Sequence, residues 1–208
     1  PPEQQDVIVE EIKTEPQNLN IDTVPAGFYQ EQELVKLLLM YGSNEIDIEG
    51  YDENNNPVIY KINVAAFIID DLKNDDILFK DETHKMIFDI FDKALDDEIL
   101  PKEQFFVSHE NEKIAELAAN LLSSRYKLDN WGKHEIKVKT ETDVLSKMVY
   151  SSILRFKDMV IDEKRIELTR QIMETNNIDD QIILLARKKK LDELRMKINK
   201  ELGIVITK

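Results

Sequence analysis

The longest regular pattern of apolar and polar positions lies in the last third of the chain. Between Glu141 and Glu174 there is no Gly and no Pro, the residues that most destabilise a helix interior. Apolar residues recur there at gaps typical of a helical face, and they include Leu145, Val149, Phe156, Met159, Ile161, Leu168 and Ile172. At about 1.5 Å per residue this helix would be roughly 50 Å long, which exceeds the width of a small domain. We therefore expect it to leave its own core and hold a second element outside it.

A second helix is predicted after a break at residues 175–177, and Gly203 is its expected C-terminal stop. Its apolar residues include Leu184, Leu191, Leu194, Ile198 and Leu202. We expect residues 158–208 to form a C-terminal helical hairpin, in which the last four of these residues hold the second helix against the first. A helical hairpin on a stalk is suited to gripping another protein rather than to chemistry.

Upstream of the long helix the period changes along the chain. Residues 28–157 contain several apolar helical faces and are expected to form a multi-helix bundle. Residues 45–62 alternate apolar and polar around a turn-rich centre, which predicts a β-hairpin inserted in the bundle. Residues 1–27 are acidic and contain several prolines, so we expect an interdomain linker or tail. The predicted fold class is mostly all-α: a multi-helix bundle with a small β-hairpin insertion, followed by a long helix and a C-terminal helical hairpin.

Two helix starts in the bundle are predicted from capping residues. Asp81 or Thr83 is placed to cap the helix that carries Phe88 and Phe91. Ser108 is placed to cap the helix that follows it in the chain.

The charge of the chain is strongly acidic and unevenly distributed. It has 28 basic and 42 acidic residues, for a formal charge of −14. Residues 1–110 hold 26 acids and 8 bases, whereas residues 111–208 hold 16 acids and 20 bases. Because non-specific nucleic-acid binding depends on Lys and Arg neutralising phosphates, we expect no direct nucleic-acid binding. No apolar run approaches the roughly 20 residues that span a bilayer, so we predict no membrane contact and a cytoplasmic location.

The candidate catalytic and metal-binding patterns are weak. The chain has no cysteine, which excludes thiolate ligands and cysteine nucleophiles. Acidic pairs such as Asp70–Asp71 are adjacent on a helix and point about 100° apart, so we interpret them as solvated faces or caps. Residues 49–52 (Glu-Gly-Tyr-Asp) resemble the acidic segment of toprim-type catalytic cores, but no Asp-x-Asp pair follows. We predict no catalytic residue, no cofactor and no metal site.

Three stretches resemble the C-terminal helicase-binding domain of a bacterial DnaG-type replicative primase. Residues 30–39 (Gln-Glu-Gln-Glu-Leu-Val-Lys-Leu-Leu-Leu) resemble the opening helix of that domain. Residues 88–91 (Phe-Asp-Ile-Phe) and 112–118 (Glu-Lys-Ile-Ala-Glu-Leu-Ala) lie where its middle helices are expected. Residues 168–203 resemble its terminal helical hairpin, and the resemblance covers about residues 28–203.

The resemblance implies a non-catalytic interaction domain that docks on the N-terminal domains of the hexameric replicative helicase. The chain would then be a fragment of DNA primase, a DNA-directed RNA polymerase, with zinc-binding and polymerase domains upstream. We expect it to be a monomer in isolation. Two alternatives stay open: the N-terminal bundle domain of a replicative helicase, or a small helical adaptor of another complex. A small helical enzyme is a third class, and it lacks a candidate centre.

The predicted partner-binding residues lie at the start of the second hairpin helix and at the chain end. Apolar residues there exceed what the hairpin needs for its own packing, and they stand beside a basic cluster at residues 187–190. The predicted set is Ile183, Leu184, Leu185, Arg187, Lys188, Ile204 and Ile206.

Overall fold

A computed structural model describes residues 25–97, 99–123 and 141–203, which form seven helices and one two-stranded sheet. In chain order the elements are α1 (Phe28–Tyr41), β1 (Glu45–Tyr51), β2 (Pro57–Asn63), α2 (Val64–Asn74), α3 (Glu82–Asp96), α4 (Glu103–Val107), α5 (Glu112–Ser123), α6 (Glu141–Glu174) and α7 (Ile178–Glu201). The predicted fold class is confirmed, because the described chain is mostly helical with a single β-hairpin. The helix α6 is continuous over its full length.

The capping residues agree with the sequence at α3 and differ at α5. Asp81 caps α3, and its Oδ1 accepts two backbone N–H groups of the first turn at 2.9 Å. The prediction that Ser108 caps α5 is wrong, because Ser108 ends the short helix α4. Asn111 takes the capping place, since its Oδ1 accepts the Lys113 N–H at 3.0 Å. The short helix α4 therefore occupies the segment between Pro101 and the start of α5.

One large hydrophobic core joins α1, β1, α2, α3, α4, α5 and the first half of α6. Aromatic rings connect the layers: Phe79 packs edge-on against Phe88 and Phe156, with ring centroids 5.2 and 5.4 Å away. Phe106 of α4 stacks on Phe91 of α3 at 5.1 Å. The largest fully buried side chains are Phe91, Phe106, Phe156, Leu34, Leu38, Ile46, Ile68, Ile69, Leu72, Ile87, Ile114 and Ile153.

The β-hairpin is antiparallel and packs against the bundle. Ile46 pairs with Ile62, and Ile48 pairs with Tyr60. Ile46 is fully buried, because β1 packs on α6. A two-stranded sheet is marginal by itself, so the packing of β1 on α6 stabilises the pair.

A glycine fixes the entry into α1. Gly27 precedes the helix with φ +90°, in the left-handed region that other residues rarely adopt. A Cβ atom at this position would lie 2.3 Å from Cε of Met159 on α6. The start of α1 therefore lies directly against α6.

A second, smaller hydrophobic cluster lies between α6 and α7. Leu154, Ile161 and Ile198 are buried there, and Leu191 and Leu202 pack against them. Since the main core also takes side chains from α6 as far as residue 160, the two clusters overlap along α6 over residues 154–161. This overlap lies at the boundary of 157 that the sequence predicts.

An ion-pair cluster fastens α6 to α2 at that boundary. Nζ of Lys157 lies 2.6 Å from Oδ2 of Asp71 and 2.7 Å from Oδ2 of Asp75. Burial alone would lower the pKa of Lys157, but the hydrogen bonds to the two carboxylates raise it above its usual value. The base of the hairpin is therefore held to the bundle by charge as well as by apolar contact.

Candidate interaction site

The helical hairpin consists of α6 and α7 packed side by side. In the described part of the chain, α7 packs extensively only on α6. The turn is closed by Gln181, whose Nε2 donates to the backbone oxygen of Thr175 at 2.5 Å. The inward positions of α7 alternate gaps of three and four, the period of coiled-coil packing. They are the buried or half-buried residues Gln181, Leu184, Lys188, Leu191, Arg195, Ile198 and Leu202.

Charged residues occupy several inward positions of the hairpin. Nε of Arg195 donates to Oδ1 of Asp158 at 2.8 Å, and its guanidinium also bonds to Asp162. Arg165 bonds to Asp162 at 2.7 Å and also to Asp192 across the hairpin. The hydrogen bond to Asp158 contributes most to raising the pKa of Arg195. Charge pairs thus fix how the two helices align, while the apolar cluster is confined to the base.

The sequence placed Leu194 among the residues that hold the hairpin together, and this was wrong. Leu194 is 46% exposed, whereas Arg195 lies on the inward side and pairs with Asp158. The physical reason is the packing repeat, in which α7 continues from Leu191 to Arg195 and then to Ile198. This repeat leaves Leu194 on the surface.

The structure separates the predicted partner-binding residues. Leu184 and Lys188 are half-buried at inward positions of α7. Ile183, Leu185 and Arg187 are exposed. Ile204 and Ile206 lie outside the described residues. Of the five described residues in the predicted set, three are therefore exposed and two lie at inward positions.

One exposed stripe on α7 combines apolar and basic side chains. Ile183, Arg187, Lys190 and Leu194 follow one another at gaps of four, three and four, so they lie on one side of the helix. We call these four residues the Ile183 face. Ile183 and Leu194 are 51% and 46% exposed. The sequence pointed to two of the four, since Lys190 and Leu194 were not in the predicted set.

The basic residues of this stripe differ from other arginines of the hairpin. Arg165, Arg170 and Arg195 all form ion pairs. Hydrogen bonding from Arg170 lowers the pKa of the exposed Glu167 to about 2. Arg187 and Lys190, in contrast, form no ion pair with any residue that the structure describes.

A buried polar cluster in the bundle was not predicted from the sequence. Oε1 of Glu31 accepts the backbone N–H of Lys80 at 2.7 Å, and Oε2 accepts that of Asp81 at 3.1 Å. Oε2 also lies 3.2 Å from Nδ1 of His84, which packs on the ring of Phe28. Glu31 and His84 are both fully buried. The cluster fastens the loop before α3 to α1, and no local sequence pattern connects two residues 53 positions apart.

Residues 49–51 of the toprim-like segment belong to β1, and Asp52 holds the β-turn that follows. Oδ1 of Asp52 accepts the backbone N–H groups of Asn54 and Asn56 at 2.9 and 2.8 Å. The hydrogen bonds from Asn56, backbone first and then side chain, lower the pKa of Asp52. Among the described residues, no group of three or more His, Asp or Glu side chains converges as a metal site would require. None of the helices described here is both long and apolar enough to cross a membrane.

Comparison with known proteins gives a family but no function. The family model "Domain of unknown function (DUF8430)" matches residues 20–205. The chain belongs to this family. The match includes both the bundle and the helical hairpin, so the DUF8430 domain comprises the two together. No curated protein and no solved structure matches the chain.

Proposed function

We propose that this chain is a non-catalytic interaction domain of a bacterial DnaG-type primase. It would dock through its helical hairpin on the N-terminal domains of the hexameric replicative helicase and couple priming to unwinding. The proposal rests on the sequence resemblance over about residues 28–203. The observation that carries it is the Ile183 face, where Arg187 and Lys190 stand beside exposed apolar side chains. Within residues 25–97, 99–123 and 141–203, these two cations form no ion pair and α7 packs extensively only on α6.

The chemistry of this face suits a protein partner with an acidic rim. Apolar side chains in the middle of an interface supply most of the binding energy once water is excluded, and Ile183 and Leu194 are the available anchors. Arg187 and Lys190 lie between them along the helix, and both are exposed, so their long side chains can carry the charge outward to solvated carboxylates at the rim of the partner. Charges at a rim act mainly on the association rate and are screened by salt.

The proposed role needs no catalytic group in this chain. The polymerase chemistry would belong to domains upstream, and the bundle would present the hairpin to the helicase. As a component of the replication machinery, the protein would act in the cytoplasm. The proposal therefore assigns substrate and nucleotide binding elsewhere in the primase.

Isothermal titration calorimetry against the N-terminal domain of the cognate helicase tests the proposal. The full chain should bind, and removal of residues 178–208 should abolish binding while the bundle stays folded. Ile183→Glu should weaken binding at least about tenfold, because it places a charge in the apolar centre of the contact. Ile182→Glu is the matched control, since Ile182 is the adjacent residue, has the same side chain and is similarly exposed. It should bind like the unaltered chain.

Charge reversal tests the rim. Arg187→Glu should weaken binding at low salt and have a smaller effect at high salt. Lys188→Glu should show a smaller salt-dependent effect, because Lys188 lies at an inward position. Undiminished affinity after removal of residues 178–208 would move the contact to the bundle, and failure of the full chain to bind would reject the helicase as partner.

A further inference from the structure

The helical hairpin has a second exposed surface, on a different side from the Ile183 face. On α7 it contains Ile178, Ile182 and Leu185, spaced by four and three residues. On α6 it contains Ile166 and Met173, which are seven residues apart. We call these five residues the Ile182 face. Each of the five is more than half exposed, with values from 52% to 79%.

An ion-pair cluster shows that the two helices contribute to the same side. On α6, Asp162 lies on the same side of the helix as Ile166 and Met173. It precedes Ile166 by four residues, and Ile166 precedes Met173 by seven. On α7, Asp192 lies on the same side of the helix as Ile178, Ile182 and Leu185, because it follows Leu185 by seven residues. Both carboxylates bond to the guanidinium of Arg165. The exposed apolar residues of α6 and those of α7 therefore lie along the same side of the hairpin.

The Ile182 face and the Ile183 face are separate. At 100° per residue their mean directions on α7 are about 140° apart. One apolar surface therefore stays open when the other is occupied. Ile182 and Ile183 are adjacent in sequence but lie on different faces, so the same substitution at each position tests one face at a time.

The area and the charge of this part of the chain both favour a second copy as the occupant. The five side chains expose roughly 600 Å², at the upper end of the largest apolar patches on monomers and close to one partner's share of a standard interface. Residues 158–203 hold ten acidic and ten basic residues, so the hairpin is neutral although the whole chain carries −14. Two copies therefore repel least where their hairpins meet.

We propose that the Ile182 face is a homodimer interface, in which two hairpins pack antiparallel as a four-helix bundle. An antiparallel arrangement places the two acidic helical bundles at opposite ends, where their repulsion is weakest. It is also self-complementary, as a two-fold interface requires. The dimer is independent of the proposed helicase contact, which uses the Ile183 face.

Sedimentation or light scattering of the full chain over roughly 1–100 μM measures the oligomeric state. We expect a concentration-dependent increase toward twice the 24.3 kDa of one chain. Raising the salt should strengthen the dimer, because it screens the repulsion between the acidic bundles. Contact through Arg187 and Lys190 should respond to salt in the opposite direction. A monomer at every concentration would overturn the proposal and would support the monomer expected from the sequence.

Substitution distinguishes this interface from the helicase contact. Ile182→Glu should raise the dimer dissociation constant at least about tenfold, whereas Ile183→Glu should leave it unchanged. The two variants should have the opposite ranking in helicase binding. Equal loss of dimer in both, with the fold intact by circular dichroism, would show that the Ile182 face is not the interface.

Spin labels test the orientation. The chain has no cysteine, so Asn176→Cys at the hairpin turn and Asn54→Cys in the β-turn each give one labelled site. In the antiparallel dimer the Asn176 labels should couple between copies, and the Asn54 labels should not. Coupling at Asn54 would contradict the antiparallel arrangement.

Discussion

Substitution of Ile198 by Ala should open the helical hairpin while the bundle stays folded. Ile198 is 6% exposed and belongs to the small cluster with Leu154 and Ile161. Truncation of a buried isoleucine to alanine costs about 2–5 kcal/mol, and less where the surroundings can collapse into the space. Because this cluster has three buried members among the residues that the structure describes, we expect about 2–3 kcal/mol, which corresponds to a roughly 30- to 150-fold larger opening constant.

Hydrogen exchange followed by mass spectrometry measures this change by region. Peptides from α7 and the second half of α6 should lose protection by that factor, and peptides from α1 to α5 should not change. Ile114→Ala is the matched control, since Ile114 is 2% exposed in the main core. It should reduce protection throughout the bundle. If Ile198→Ala reduced protection equally in α1 and α7, the chain would be one cooperative unit and the division at residue 157 would be refuted.

Three further predictions concern the boundary, the hairpin and the buried cluster. A chain ending at Lys157 should unfold cooperatively in urea, because it keeps the α6 residues up to Phe156 that enter the main core; a non-cooperative transition would contradict this. Tyr150 donates a hydrogen bond to Glu201, and this bond, followed by burial, raises the pKa of Tyr150 to about 12. The stability that this bond adds is therefore present below about pH 10 and is lost as the pH rises toward 12. In an ultraviolet titration, Tyr150→Phe should lack one phenol that titrates near pH 12 in the unaltered chain. If the missing phenol is one that titrates near pH 10, the assignment is refuted. Glu31→Ala leaves the part-buried N–H groups of Lys80 and Asp81 without their acceptor. Since an unsatisfied donor costs about 1–3 kcal/mol, the variant should lose at least that much stability in urea unfolding, whereas a loss under about 1 kcal/mol would show that the cluster is not needed for stability.

The regular parts of this fold could be predicted from the sequence because each apolar pattern repeats over many residues. The helix α6 repeats over 34 residues, and the β-hairpin alternates on both sides of a turn. The short helix α4 was missed, since five residues are too few to show a helical period, and its role depends on Phe106 meeting Phe91 in space. The Glu31–His84 contact was missed for the same reason, because tertiary packing alone brings the two side chains together.

That the predicted residues bind a partner stays a prediction, and the structure shows only which of the described ones are exposed. Of the surplus apolar residues after Asn177, Ile183 and Leu185 are about half exposed, whereas Leu184 is half-buried at an inward position. A linear sequence does not show which inward repeat α7 follows. Once Arg195 rather than Leu194 lies inward, Ile183 and Leu185 lie on different sides of the hairpin. The partner that each side binds stays a prediction.

The continuity of α6 gives the molecule a lever arm. Its first half is anchored in the bundle by Val149 and Phe156, and its second half runs about 25 Å from Lys157 to the turn. A tilt of about 10° at the anchor therefore displaces the turn by roughly 4 Å, about the rise of three helical residues. Force applied at the turn is transmitted in the same way to Phe156 and its aromatic neighbour Phe79. The reach and stiffness of this arm, rather than its tip alone, determine how far the bundle stands from whatever the hairpin holds.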